Sequence, residues 1–288
     1  MAFSEAGFVH RMKNKFNIKA TLEYDGTLFK GWQVQPGLRT VQGELEKTLR
    51  SILGHDATLY GSGRTDTGVH AVSQVANFHT DSKIKLEKLK GGVNSLTDPD
   101  MRVVDLEYVD DEFHARFSAI SRSYFYLVGT DERSTSPFCR KYAWNINRRI
   151  DLRRLKRPLE SLRGEYDFTN LSKRDPSRDN FKAIVNEARL KEWELGFIFE
   201  INANRFLPQM VRRIVGTLVA IGDGDVEPDS MDRLLETPGS PATKVYTAPP
   251  SGLFLAGVEY ENTRATQSRK DKNESLKWDW RYLNEILH

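Results

Sequence analysis

The chain has 288 residues, with 43 Lys or Arg against 40 Asp or Glu, a hydrophobic fraction of 39% and 15 Phe, 10 Tyr and 5 Trp. That is enough apolar and aromatic matter for one large domain or two modest ones, and it excludes a wholly disordered chain. No apolar run approaches the ~20 residues of a membrane helix, no secretory signal opens the sequence, and the single Cys139 can make neither an intrachain disulfide nor a zinc site alone, so a soluble cytoplasmic protein is expected.

Residues 1–17 are polar and without pattern and read as an extension. From Ile18 apolar residues alternate (Ile18, Ala20, Leu22, Tyr24), as in a half-buried strand. Asp25-Gly26 marks a turn, and a loop rich in Gly, Trp and Gln follows. Thr40 is placed to cap a helix whose apolar positions Val41, Leu45, Leu49, Ile52 and Leu53 recur at helical spacing, with Gly54 to stop it. A strand around Thr58–Tyr60 runs into a dense loop, Gly61 to Gly68. Strand-like residues resume at Ser73–His79, then a basic helix at Leu86–Val93 and a strand at Val103–Val109. The second half repeats this grammar. It has a strand at Ser123–Gly129, a helix at Leu152–Leu162 shaped by Pro158, and a hairpin of Ile184–Trp193 and Phe197–Ala203 turning at Gly196. An apolar helix from Phe206 to Gly222 and a last strand at Leu253–Tyr260 complete it. Helices inserted among strands too few to wind doubly predict an α+β sheet with one covered face. The division expected is 1–17 extension, 18–116 first half, 117–262 second half and 263–288 tail.

The formal net charge is only +3, but it is unevenly spread. Residues 148–191 hold 13 Lys or Arg and 7 Asp or Glu, leaving the remainder slightly acidic. Such a segment is expected either on a phosphate-facing surface or on an ordinary solvated face.

The most informative stretch is Gly63-Arg64-Thr65-Asp66-Thr67-Gly68-Val69-His70. Flanking glycines permit unusual backbone angles and the close approach of another molecule. Between them lie one carboxylate, one guanidinium and two hydroxyls. The triplet Asp66-Thr67-Gly68 occurs once, whereas an aspartic protease needs two carboxylates sharing a proton, and Arg64 opposes that state. A metal site drawn from Asp66, His70, His79 and His114 matches no common ligand spacing.

The segment resembles the active-site motif of the tRNA pseudouridine synthase A family. Further blocks carry the resemblance in order: Leu22 to Gly26, Gly31-Trp32-Gln33, Thr40-Val41-Gln42, Val75 to Phe78, Phe113 to Ala119, Arg122 to Tyr126 and Met210 to Gly216. The resemblance implies two ferredoxin-like halves forming one extended, mostly antiparallel sheet, with helices on one face and a central cleft. It implies isomerisation of uridine to pseudouridine in the anticodon stem-loop of tRNA, without metal or organic cofactor, by a homodimer. It assigns Asp66 as the catalytic carboxylate, Arg64 and Tyr124 as substrate-binding residues, and Arg212 as the ion-pair partner of Asp66. Thr67 stands where the family commonly has alanine; His70-Ala71 favours the tRNA enzymes over related synthases acting on other RNA uridines. The chemistry is consistent with these roles. A carboxylate can attack C1′ or remove the C2′ proton, and it must stay charged in a site that excludes water. Arg212 carries permanent charge on an otherwise apolar helix and so needs a partner. A tRNA-binding protein without chemistry is the rival reading.

Overall fold

The structure is a computed structural model describing residues 16–261 apart from Ser177 and residues 240–243. Residues 1–15 of the expected extension, and the expected tail, lie outside the described residues.

Alternating side chains place β1 (Phe16–Tyr24) with Ile18, Ala20, Leu22 and Tyr24 in the core. It starts two residues earlier than the pattern suggests. Asn17 is buried there, and its side-chain amide donates to the carbonyls of Asp110 (2.9 Å) and Phe113 (2.8 Å). Helix α1 (Val41–Leu53) follows, with Thr40 Oγ1 accepting from Gly43 N–H and Gly54 closing it in a left-handed conformation. Both ends were legible as caps. Then come β2 (Tyr60–Gly61), β3 (His70–Thr80), α2 (Leu86–Leu96) and β4 (Met101–Val109).

The second half opens with β5 (Ala119–Gly129) and the short β6 (Trp144–Asn145). The helix expected from Leu152 is a 3-10 turn over Leu152–Leu155 and then α3 (Lys156–Ser161), with Pro158 in its first turn, where no backbone donor is required. After β7 (Gly164–Asp167) come β8 (Lys182–Trp193) and β9 (Gly196–Ala203). Their turn is on Glu194 and Leu195, because Gly196 is already paired with Trp193 and Gly129. That glycine is needed for closeness: a Cβ on it would lie 2.0 Å from the Val128 carbonyl oxygen. Helix α4 (Met210–Asp223) starts four residues after Phe206, beyond Pro208 and a Gln209 at φ 61°. Helix α5 (Ser230–Glu236) and β10 (Leu253–Tyr260) complete the described chain.

The strands form one ten-stranded sheet in the order β4-β1-β3-β10-β5-β9-β8-β7, with β2 added to β3 and β6 to β5. Pairing is antiparallel except for β10 with β3 and β5 with β6, so the fold is α+β with a mixed, mostly antiparallel sheet. Period-two alternation divides β5 between two apolar layers. Tyr124, Tyr126 and Val128 join the large helix-covered core, and Phe125 and Leu127 join a smaller cluster with Trp193, Ile198 and Phe254 on the other face. The last strand therefore links the N-terminal strands to the C-terminal ones, and it places Ala71, Leu255 and Tyr124 in register on three neighbouring strands. No described helix is long and apolar enough to cross a membrane.

Candidate active site

The Gly63–Val69 loop enters the sheet at His70, the first residue of β3, where β3 meets β10. Tyr124 sits two strands away, about 10 Å at the usual strand spacing. Several bonds hold the loop from behind. Trp32 N–H donates to the Thr65 carbonyl (3.1 Å), Gly68 N–H to Phe29 O (3.3 Å), and the hydroxyls of Tyr24 and Thr65 lie 2.9 Å apart. The Gln74 side chain accepts from Ser62 Oγ (2.7 Å) and donates to Gly63 O (3.0 Å). Two glycines are required for this closeness. Gly31, at φ 88°, would with a Cβ sit 2.7 Å from Thr65 O, and Gly68 turns the loop at φ 78°. The blocks around Tyr24 and Trp32 are thus the frame of the Asp66 loop.

Asp66 and Arg212, 146 residues apart in sequence, are brought together: Arg212 Nη1 donates to Asp66 Oδ2 at 3.0 Å. The same guanidinium donates from Nε to Ala248 O (2.8 Å), while Ala248 N–H donates to Arg212 O (2.9 Å). Arg212 is thereby fixed on the first turn of α4. Its side chain is 14% exposed and that of Asp66 36%, so the arginine is sunk in the wall and the carboxylate faces the opening. Tyr124 is buried and meets Phe206 edge-to-face, with centroids 4.9 Å apart. Burial, reinforced by Tyr24 and by the nearby Asp66 charge, pushes the Tyr124 phenol well above its usual range, so it remains neutral. Burial likewise pushes Tyr24 up to about 12.

The histidines weighed as metal donors have separate partners. His70 is buried, with Nδ1 3.0 Å from Gly26 N and 3.1 Å from Asp25 Oδ1, Nε2 3.1 Å from Lys141 O, and its ring stacked on Phe254. His79 lies beside Asp111 at 3.3 Å, and His114 lies against Tyr60.

Asp66, Arg64 and Tyr124 line one cleft of about 1220 Å³, larger than the ~300–1,000 Å³ typical of small-ligand pockets. Among the described residues its cations are Lys30, Arg64, Arg116, Arg122, Arg178 and Arg205, against the carboxylates Asp66 and Asp175. Only Arg178 comes from the basic segment 148–191. Much of that segment is laced into ion pairs elsewhere: Arg148–Asp223, Arg153–Asp151, Arg157–Asp232, Arg189 with Glu187 and Glu200, and Lys191–Glu200. The positive field of the cleft is assembled from single arginines scattered along the chain, and composition along the sequence carries no sign of them. Arg205 is held below the usual guanidinium range by burial and by the charges of Arg178 and Arg116. Sequence reasoning also passed over Arg122. Its guanidinium donates to the carbonyls of Ser62 (3.0 Å), Arg116 (2.7 Å), Ala119 (3.1 Å) and Asn204 (2.9 Å), knotting the Asp66 loop to the facing turns. An arginine within a β-strand pattern, flanked by two serines, was the available signal.

A carboxylate fixed by a mostly buried arginine, beside a neutral aromatic ring and under a wide basic cleft, suits chemistry on a polyanion. Comparison with known proteins agrees. Residues 20–118 and 159–261 match the family model described as tRNA pseudouridine synthase. The chain is 39% identical over 248 residues to the tRNA pseudouridine synthase A of Maridesulfovibrio salexigens, covering 85% of this chain and 91% of that one. It is 41% identical over 251 residues to the enzyme of that name from Latilactobacillus sakei, with 84% and 98% covered. To the one from Thermoanaerobacter sp. it is 37% identical over 244 residues, with 85% and 99% covered. The chain belongs to the tRNA pseudouridine synthase family and is an isomerase of tRNA uridines.

Proposed function

We propose that this isomerase acts on uridines of the anticodon stem-loop with Asp66 as its catalytic carboxylate, and the observation that carries the reading is the Asp66–Arg212 pair opening into the basic cleft. The reaction breaks the C1′–N1 bond, turns the uracil and joins C1′ to C5. The C5 proton is lost and N1 gains one, so nothing is oxidised and no group leaves. Asp66 acts as an anion, by adding to C1′ or by removing the C2′ proton. Arg212 holds it by a charge-assisted hydrogen bond, and the second bond of that guanidinium to Ala248 O prevents it from following the carboxylate into the cleft.

Tyr124, neutral and backed by Phe206, packs on the extruded uracil. Extrusion costs a few kcal/mol and stacking returns ~1–3 kcal/mol per base. Arg64, on the same loop, binds the strand the uridine has left, by a phosphate or by filling the vacated stack. The working state is a homodimer, which sedimentation velocity on the full chain tests.

The deciding assay incubates the protein with unmodified tRNA transcript and maps pseudouridine by position. Signal confined to the anticodon stem-loop is expected; signal only elsewhere in the transcript overturns the assignment. Asp66→Ala should bind tRNA and form no pseudouridine, whereas under the rival reading of a pure binder Asp66→Ala keeps every activity of the protein.

A further inference from the structure

Beyond the carboxylate and its ring, the cleft contains an aromatic surface to which no role has been given. Tyr60, His114 and Phe117 all line it. The Tyr60 and His114 rings are 5.0 Å apart and those of His114 and Phe117 4.4 Å apart, each pair tilted by about 45° (46° and 44°). Phe117 is 75% exposed and Tyr60 43% exposed. Scattered apolar residues on a surface need no explanation, but contiguous aromatic faces inside a ligand cleft do.

The turn carrying them is built rigidly. Ala115, at its centre, is buried; its N–H donates to Asn77 Oδ1 (2.9 Å) and its carbonyl accepts from the Tyr260 hydroxyl (2.8 Å). Asn17 holds the Phe113 carbonyl (2.8 Å), and Ser118 N–H closes back on His114 O (2.9 Å). A buried framework therefore presents an exposed phenyl ring in one place. His114 Nδ1 accepts from Arg116 N–H at 3.1 Å, and partial burial with the neighbouring Arg116 charge lowers its pKa, so its ring offers a neutral face. Around this surface are cations: Arg116 lies 5.5 Å from the Phe117 centroid, and Arg178 and Arg205 line the same cleft. Aromatic faces with guanidinium groups beside them are the means by which proteins hold unpaired nucleotides, base on ring and phosphate on charge. Arg122 bonds both the Arg116 and Ser62 carbonyls, which fixes the surface relative to the Asp66 loop.

We propose that Tyr60, His114 and Phe117 form a second base-binding surface, on which an unpaired nucleobase of the tRNA other than the reacting uridine stacks. The proposal rests on the reading that the Asp66 cleft is the active site. The surface would select substrates whose loop can offer a second unstacked base at a fixed distance from the target.

Phe117→Ala, Phe117→Leu and Phe117→Trp test it, through tRNA affinity and single-turnover rate at saturating enzyme. Phe117 is mostly solvated, so all three should melt within a few degrees of the parent. Ala and Leu should weaken binding about tenfold with the saturated rate within twofold, and Trp should restore affinity. Transcripts carrying one abasic residue at successive unpaired positions then locate the partner. At one position the parent protein should lose the same factor, and Phe117→Ala should lose nothing more. Unchanged affinity in Phe117→Ala, recovery by Leu, or additive losses at every position overturns the proposal. Asp66→Ala run alongside separates the two readings. If it still turns over, the active-site assignment fails; if it is inactive while Phe117→Ala binds like the parent, only the second surface fails.

Discussion

Two arginine-bearing regions of this molecule look alike in composition and differ in use. Residues 148–191 are dense in positive charge, yet Arg153, Arg157, Arg189 and Lys191 each face a carboxylate within 3 Å at the surface. The cleft draws Arg64, Arg116, Arg122 and Arg205 from distant points of the chain, with Arg212 behind Asp66 in its wall, and Asp66 and Asp175 are the carboxylates that line it among the described residues. Neutralised cations contribute little outward field; gathered ones with few carboxylates raise a potential that attracts phosphate. Charge along a sequence thus indicates how a surface is solvated, and charge in space indicates where a polyanion binds.

The sharpest way to break this contrast is at Arg212. Arg212→Lys keeps the charge but cannot hold Asp66 and the Ala248 carbonyl with one planar fork. It should lower the single-turnover rate about a hundredfold while tRNA affinity changes by less than threefold; an unchanged rate would mean that charge alone suffices. Next comes salt. Arg205→Ala should weaken tRNA binding and reduce the slope of log affinity against log salt by ~1, whereas Arg153→Ala, on the basic segment, should leave both unchanged. Equal effects would erase the distinction between the two regions.

The frame of the cleft is tested by Gly31→Ala, which forces a side chain into φ 88° and toward Thr65 O. It should destabilise the fold by about 1–3 kcal/mol and slow turnover as well. The smallest expected effect is alkaline. Tyr24 has its folded pKa raised to about 12 against ~10 unfolded, so its contribution is complete below pH ~10 and is lost as pH rises toward 12. Tyr24→Phe should make thermal stability less pH-dependent across that window, and an unaltered profile would contradict the burial assigned to this phenol.

The elements were largely legible where local chemistry decides them. Thr40 and Gly54 bracket α1 because capping bonds are local, and the alternation through Tyr24 is what a strand with one buried face requires. Legibility failed where a distant contact sets the boundary. Gly196 looks like a turn residue but is a strand residue pressed on Val128, and Phe206 looks like the first turn of α4 but serves as the edge behind Tyr124. Strands as short as β7 and helices as short as α5 carry too few residues for a period to show. At the site, the loop around Asp66 stood out through its glycines and mixed side chains. The pairing of Asp66 with Arg212 entered through resemblance, since nothing local joins residues 146 positions apart. Apart from Arg64, which entered through resemblance, the arginines of the cleft and the Tyr60–His114–Phe117 surface were not visible, because they become groups only when β2, the turn before β5 and the loops carrying Arg178 and Arg205 are brought together.

The account turns on one charged oxygen. Asp66→Asn preserves shape and hydrogen-bonding capacity next to Arg212 and removes only the anion. Measured under single turnover with tRNA affinity determined in parallel, it should bind within about threefold of the parent and form pseudouridine at least ~10³-fold more slowly; turnover within tenfold of the parent would contradict the account.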